Sequence, residues 1–421
     1  MKKLVYSLSM LVCCVAASAQ INEKSINSDP FYAAGPYHTY TYTAQKDTPA
    51  PKGYKPFYIS HVGRHGSRCL ADSDPDYAPV VEKMEQCLER KLLTRKGEKL
   101  LEDMKVLAKM QDANLAQITE IGAREHREIA ARMYKRFKPV WTNRSRREVH
   151  CKSTTVQRCI LSMTNSTNEL KGLNPKLDFS YEAGMEVARN IRPDTSLFHP
   201  VNKPVKIRNR AHFHRVFNPD EFYSRVFFNP EAAKAITGDP KFFCLGVYDL
   251  WKDAQCAGMD KFDARDYFSA AELCDLLCFT VDRWYEVFSS FADPASPACG
   301  IVNGLLSDIL NGAQEALEDG KVCAHLRYTH DSALMPLFFK LGLENYPLGL
   351  SREKARELWS PTEIMPMATN IQIVFYSKKE CEPLVKLLFN EREIRLVGLE
   401  PVQGPYYKWS DVSNLIKKGI K

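Results

Sequence analysis

Two arginines enclose a histidine, a glycine and a serine in Arg64-His65-Gly66-Ser67-Arg68, and an apolar run through Phe57, Tyr58, Ile59 and Val62 leads into them. Each guanidinium can fork two N–H donors onto a pair of phosphoryl oxygens. Gly66 lets the backbone approach an anion where a Cβ would obstruct it. A neutral imidazole at His65, its far nitrogen held by an acceptor, can attack the phosphorus of an ester gripped on both sides. Taken alone, the pattern fits a basic surface turn equally well. Two further segments repeat the design of a strand that ends in polar groups and runs into a helix: Ser153-Thr154-Thr155-Val156-Gln157-Arg158 and His330-Asp331. If the three ends converge, three arginines, two histidines and a carboxyl group surround one point. That set suits phosphoryl transfer, with arginines neutralising the equatorial oxygens, a histidine attacking and an acid protonating the departing alcohol. His330-Asp331 is also readable as a helix cap, with Asp331 accepting backbone N–H bonds and its pKa lowered by the helix start.

The elements that must position these groups follow from periodicity. Strands are predicted at about 56–62, 148–153, 322–329, 370–376 and 393–399. Apolar residues recurring at three and four predict helices over 76–93, 94–113, 118–137 and 155–170, and another over 333–341 stopped by Gly342. Residues 175–210 lose periodicity and are rich in Pro, Arg and Asn, which predicts irregular loops with short strands. From His212 to about Leu317 the pattern is helical again, with a stripe through Leu273, Leu276, Leu277, Val281, Trp284, Val287 and Phe288 that reads as core. Strands separated by long helices predict an α/β fold, a central, largely parallel sheet flanked by helices, with sites at the carboxyl ends of its strands. At 421 residues the chain exceeds one compact core. We expect a discontinuous core domain of 20–170 and 300–421, with a mostly α-helical insertion at 171–299.

Residues 1–19 read as a secretory leader: Lys2-Lys3, an apolar run from Leu4 to Ala17, then Ala17-Ser18-Ala19. The run is short for a bilayer span, so export to a periplasm or the medium is expected, without stable membrane insertion. The formal charge is +7, two units of which are Lys2 and Lys3. The mild excess left suits a small anionic ligand better than a nucleic acid. Thirteen cysteines fall to 11 without Cys13 and Cys14, an odd number that leaves at least one thiol free or paired between chains. No pair has zinc-ligand spacing with partners to complete it, so neither a metal nor a cofactor is expected.

These residues resemble the histidine acid phosphatases, in the branch that includes phytases and multiple inositol polyphosphate phosphatases. The resemblance rests on Arg64-His65-Gly66-Ser67-Arg68 and His330-Asp331 in their order and separation, with Arg158 between them. Ile118-Thr119-Glu120-Ile121-Gly122 through Met133, and Trp359-Ser360-Pro361 through Asn370, add to it. It implies that His65 is the nucleophile of a phosphohistidine, that Arg64, Arg68, Arg158 and His330 bind the phosphate, and that Asp331 protonates the leaving oxygen. Two departures stand out. Leu70 occupies a place where the family commonly has proline, and His330-Asp331-Ser332 stands where inositol polyphosphate phosphatases usually carry His-Ala-Glu. The substrate expected is a small phosphate ester, inositol phosphates being favoured. The alternatives are a broad-specificity phosphatase of sugar phosphates or nucleotides, and a non-catalytic phosphate-ester binder.

Arg189, Arg192, Arg208, Arg210 and Arg215 lie in the irregular region, where some could hold a second phosphate. His126 reads as a solvated helix histidine, His212 and His214 as part of a strand or turn, and Arg144, Arg146 and Arg147 as a solvated turn. The sequence leaves the oligomeric state open.

Overall fold

The computed structural model describes residues 21–71, 76–193 and 195–420. The leader at 1–19, with Cys13 and Cys14, lies outside them. Eight strands form one mixed sheet: β1 (Lys55–Arg64), β2 (Glu148–Ser153), β3 (Asp178–Glu182), β4 (Val322–Thr329), β5 (Asn370–Ser377), β6 (Leu384–Phe389), β7 (Arg392–Glu393) and β8 (Tyr406–Lys408). Their order is β3-β2-β4-β1-β5-β6-β7, with β8 on β6. The half from β3 to β1 is parallel, and β5 to β8 add antiparallel pairs. β4 is buried along its whole length, as a central parallel strand with both faces covered must be.

The parallel half sets the site. β1, β2 and β4 run side by side, so Arg64 pairs with Thr329, and Ser153 with Tyr328. All three carboxyl ends therefore open at one edge. A helix follows two of them closely: Gln157–Leu173 after β2 and Asp331–Leu341 after β4. The Glu120–Arg136 helix packs on Gln157–Leu173. Behind the sheet, Ala130, Met133, Phe137 and Trp141 meet Val149, Cys151, Leu326 and Tyr328 in one apolar cluster. A larger cluster runs from Ile26 through the helices of 205–316 to Ile416.

Several expectations give way. The 175–210 stretch holds β3 and two helices, Met185–Ile191 and Thr195–Val216, the latter spanning Pro200 and Pro204. His212 and His214 therefore sit in a helix. The strand expected over 393–399 is only the two-residue β7, while β6, which periodicity did not flag, is fully buried. Its Lys386, 1% exposed, breaks the apolar pattern but is held by Asp47 and Glu393 at 2.8 and 2.9 Å. Arg146 is half-buried, donating through Nη1 to the carbonyls of Ala316 and Val322. All eleven cysteines of the described residues are free thiols. No helix among those residues is long and apolar enough to cross a membrane.

Candidate active site

β1 delivers Arg64 and His65 into the protein rather than onto a surface turn: they are 1% and 2% exposed, and Arg68 is 5%. The loop after β1 keeps its shape because two glycines touch. A Cβ on Gly66 would lie 2.4 Å from the Gly122 carbonyl oxygen, and one on Gly122 would lie 2.2 Å from that of Ser67. The start of the Glu120–Arg136 helix thus presses directly on the loop. Ser67 N–H and Oγ–H both donate at 2.8 Å to the Glu125 carboxylate, which also accepts from Tyr40 N–H at 2.8 Å. Burial raises the Glu125 pKa against these bonds. On the other side Gly66 N–H donates to Ser162 Oγ at 3.0 Å, one helical turn beyond Arg158.

The His65 ring is arranged for nucleophilic attack. Nδ1 lies 2.9 Å from its neighbour's carbonyl, Gly66 O. A proton there donates to that oxygen and leaves the Nε2 lone pair bare. Burial, then the charges of Arg158, Arg64, Arg68 and His330, hold the pKa of His65 well below the ordinary imidazole value, so the ring is neutral at physiological pH. The His330 ring stands edge-on to His65, centroids 5.6 Å apart. Thr154 Oγ1 and Cys159 Sγ approach His330 Nε2 at 3.2 and 3.6 Å. Burial, followed by Arg158, brings the His330 pKa to about 3, with Arg192 and Arg68 lowering it further and Asp331 opposing them.

Arg64 is an anchored cation. Nη1 donates to the carbonyls of Pro36 and Met365 at 2.6 and 2.8 Å, and Nη2 donates to Asp331 Oδ2 at 2.7 Å. Asp331 opens its helix, and its Oδ1 accepts from Ser332 N–H at 2.7 Å. Burial raises its pKa, but Arg64, His330 and Arg68 together bring it below the usual carboxylate value. The cap and the site are thus one group. With its side chain 24% exposed, the carboxyl is within reach of a ligand's leaving oxygen.

The structure brings together Arg64, His65, Arg68, Arg158, His330 and Asp331. Of the five outlying arginines, Arg192 joins them electrostatically, acting on His330 and Cys159. It follows a helix whose Ile191 carbonyl accepts from Thr329 Oγ1 at 2.7 Å. Arg208 pairs with Glu286, Arg210 lies over the Phe242 ring, and Arg215 contacts His212. Arg189 is exposed. His126, expected in solvent, is 1% exposed under the site. It hydrogen-bonds to the Arg64 backbone, and burial brings its pKa to about 3. Sequence reasoning missed Glu125 and Ser162, and it named Thr154 only as part of the Ser153–Arg158 segment, without a role. It also missed Tyr37, whose ring lies 5.3 Å from the Arg68 guanidinium and 4.6 Å from Lys252 Nζ. Glu125, one turn past Gly122 in the helix already singled out, carried a signal, as did Thr154 within its segment; Ser162 and Tyr37 carried none.

Residues 294–390 match the family model of the histidine phosphatase superfamily (branch 2). The matched stretch includes His330-Asp331 and β5, whereas Arg64-His65 lies before it. Among solved structures, the Bifidobacterium longum multiple inositol polyphosphate phosphatase in complex with inositol hexasulfate superposes with a TM-score of 0.76 at 16% identity. That match covers 93% of this chain and 98% of the other. A phytase from D. castellii gives 0.62 at 13%, covering 93% and 85%. The Hafnia alvei phytase gives 0.54 at 13%, covering 89% and 98%. No curated protein matches the sequence. The sheet and its flanking helices share the fold of these solved structures, and residues 294–390 are similar to the histidine phosphatase superfamily, branch 2.

Proposed function

We propose that the protein is an exported phosphomonoesterase that hydrolyses inositol phosphates through a phosphohistidine on His65. The reading rests above all on the state of that ring: neutral, buried, its Nδ1 proton taken up by Gly66 O and its Nε2 free to attack. Arg64, Arg68, Arg158 and His330 hold the phosphoryl oxygens. His65 Nε2 forms the N–P bond as the P–O bond to the alcohol breaks, and Asp331 gives its proton to the departing oxygen. Water then attacks phosphorus, Asp331 takes a proton from it, and phosphate leaves. The inositol phosphate preference is supported by the resemblance to the Bifidobacterium longum multiple inositol polyphosphate phosphatase and the D. castellii phytase. Export is supported by the leader-like pattern of 1–19.

Rapid quenching of the full chain with labelled substrate is expected to trap an acid-labile phosphoenzyme that His65→Ala lacks, together with its phosphate release. Undiminished hydrolysis by His65→Ala would refute the nucleophile. A panel of inositol, sugar and nucleoside phosphates reads the substrate preference. Equal kcat/KM across the panel would favour the broad-specificity alternative, consistent with His330-Asp331-Ser332 in place of the His-Ala-Glu usual in inositol polyphosphate phosphatases.

A further inference from the structure

A second cluster of ligand-type side chains lies on the sheet face under the Asn303–Glu318 helix, unused by the phosphatase chemistry. His150 of β2 and His325 of β4 are register partners, so their side chains leave the same face. Their ring centroids are 5.0 Å apart. The helix above can come close because Gly312 has no side chain: a Cβ there would lie 2.7 Å from Arg327 Nη2 and 3.1 Å from the His325 ring. One turn on, Glu315 reaches down between the histidines. Its Oε2 is 3.1 Å from His325 Nε2 and its Oε1 is 3.3 Å from His150 Nδ1. One ligand atom from each residue lies within 4.8 Å of the others. Donors on a tetrahedral zinc with bonds of about 2.0–2.1 Å stand roughly 3.3 Å apart, so the spacing is already close to a coordination shell.

We propose that His150, His325 and Glu315 form a binding site for a divalent, zinc-type cation, with three protein ligands and one open position. Two imidazoles and a carboxylate are a donor set that zinc takes readily. The support beyond the ligands is present as well. His325 Nδ1 faces the hydroxyl of fully buried Tyr58 at 3.0 Å. When Nε2 ligates, Nδ1–H donates to that oxygen and fixes tautomer and ring plane. The local cations are engaged elsewhere: Lys152 and Arg327 both pair with Asp308. Access is open from one side, for His325 is 3% exposed but His150 25% and Glu315 41%. Glu148, 3.7 Å from His150 Nε2, and Glu318 and Asp319 beside Glu315 make the rim attractive to cations. The cation clamps the helix to β2 and β4, and it lies roughly 15 Å down β4 from His330 by the strand rise, apart from the phosphate site.

The full-length protein, stripped with EDTA, is titrated with Zn2+ by calorimetry and with Co2+ by absorption. One equivalent is expected, with a Co2+ spectrum of nitrogen and oxygen ligation that lacks thiolate charge transfer, and a Tm that rises with Zn2+. His150→Ala and Glu315→Ala, at half-exposed positions, are expected to lose the binding, the spectrum and the Tm rise while releasing phosphate from nitrophenyl phosphate as before. The proposal is overturned if no cation binds, if the Co2+ spectrum shows thiolate ligands, or if His150→Ala binds like the unaltered chain. Hydrolysis that disappears on stripping would overturn the independence of the two sites.

Discussion

Under the proposed mechanism, Asp331 carries two demands that pull its pKa in opposite directions. A carboxyl that protonates a leaving oxygen must hold a proton, yet in the ligand-free protein Arg64 at 2.7 Å keeps it below the usual carboxylate value. An entering phosphate dianion shares Arg64 with Asp331 and places negative charge beside the carboxyl, and both effects raise its pKa. The free enzyme's pKa governs kcat/KM and that of the complex governs kcat. The basic limb of kcat is therefore expected at higher pH than that of kcat/KM, once the substrate's own ionisation near pH 6 is allowed for. Superimposable limbs would remove Arg64 sharing from the account. Asp331→Asn should cost about 10²–10⁴ in kcat on alkyl phosphates and far less on nitrophenyl phosphate, whose leaving group needs little protonation. Equal losses on both would take Asp331 out of the acid role.

The elements that hold these residues come into very close approach, and the Gly66–Gly122 contact is the tightest example. In Gly122→Ala the new Cβ would meet Ser67 O at 2.2 Å and Ser67 N at 2.6 Å. The Glu120–Arg136 helix must then lift from the loop, loosening the Glu125 bonds to Ser67. The expected result is a loss of about 1–3 kcal/mol of stability together with a fall in kcat/KM. Gly172→Ala is the control: nothing lies within 4 Å of its Cβ, so removing glycine from the last turn of the Gln157–Leu173 helix should stabilise by about 0.5–1 kcal/mol and leave turnover unchanged. An active, fully stable Gly122→Ala protein would contradict the contact. The same element shows where sequence reading stops. Glu148–Ser153 and Val322–Thr329 were legible as strands because periodicity and flanking polar residues agree with burial. His126 reads as solvated in the sequence, and Glu125 beside it is missed, because a charged helix hides which face a glycine has brought inside. Lys386 concealed β6, since its partners are Asp47, far away in the chain, and Glu393, which meets it only through strand pairing. Pro200 and Pro204 concealed a helix. His150 and His325 stand 175 residues apart and meet only through strand register, which no spacing rule reports.

At the scale of the whole molecule the site rests on buried neutral imidazoles, and this sets how the fold responds to acid. His61 and His126 flank the Tyr328 ring with centroids 5.4 and 5.5 Å away, are 2% and 1% exposed, and have pKa values of about 3, chiefly through burial. The unfolded chain binds protons at histidine near pH 6.5, so between pH 6.5 and 3 it holds more protons than the folded one. Stability must therefore fall as pH falls, by up to about 1.4 kcal/mol per pH unit for each histidine. From pH 6 to pH 4 the pair alone removes about 5 kcal/mol, comparable with the whole stability of many domains. His330 and His325 add to it in the same direction, and Asp331 adds its part only below about pH 4, where its carboxylate begins to protonate in the unfolded chain. The activity below neutral pH that the proposed acid role of Asp331 favours thus competes with a fold that loosens in the same range. Inorganic phosphate, by binding the folded arginine cage alone, offsets part of the loss, about 1.4 kcal/mol at ten times its Kd. Thermal unfolding followed from pH 7 to pH 4 should show Tm dropping steeply below pH 6, a shallower drop in saturating phosphate, and a shallower one again in His126→Asn. A Tm that stays level across that range would mean these imidazoles are charged in the folded protein, and the neutral nucleophile at His65 would lose its physical basis with them.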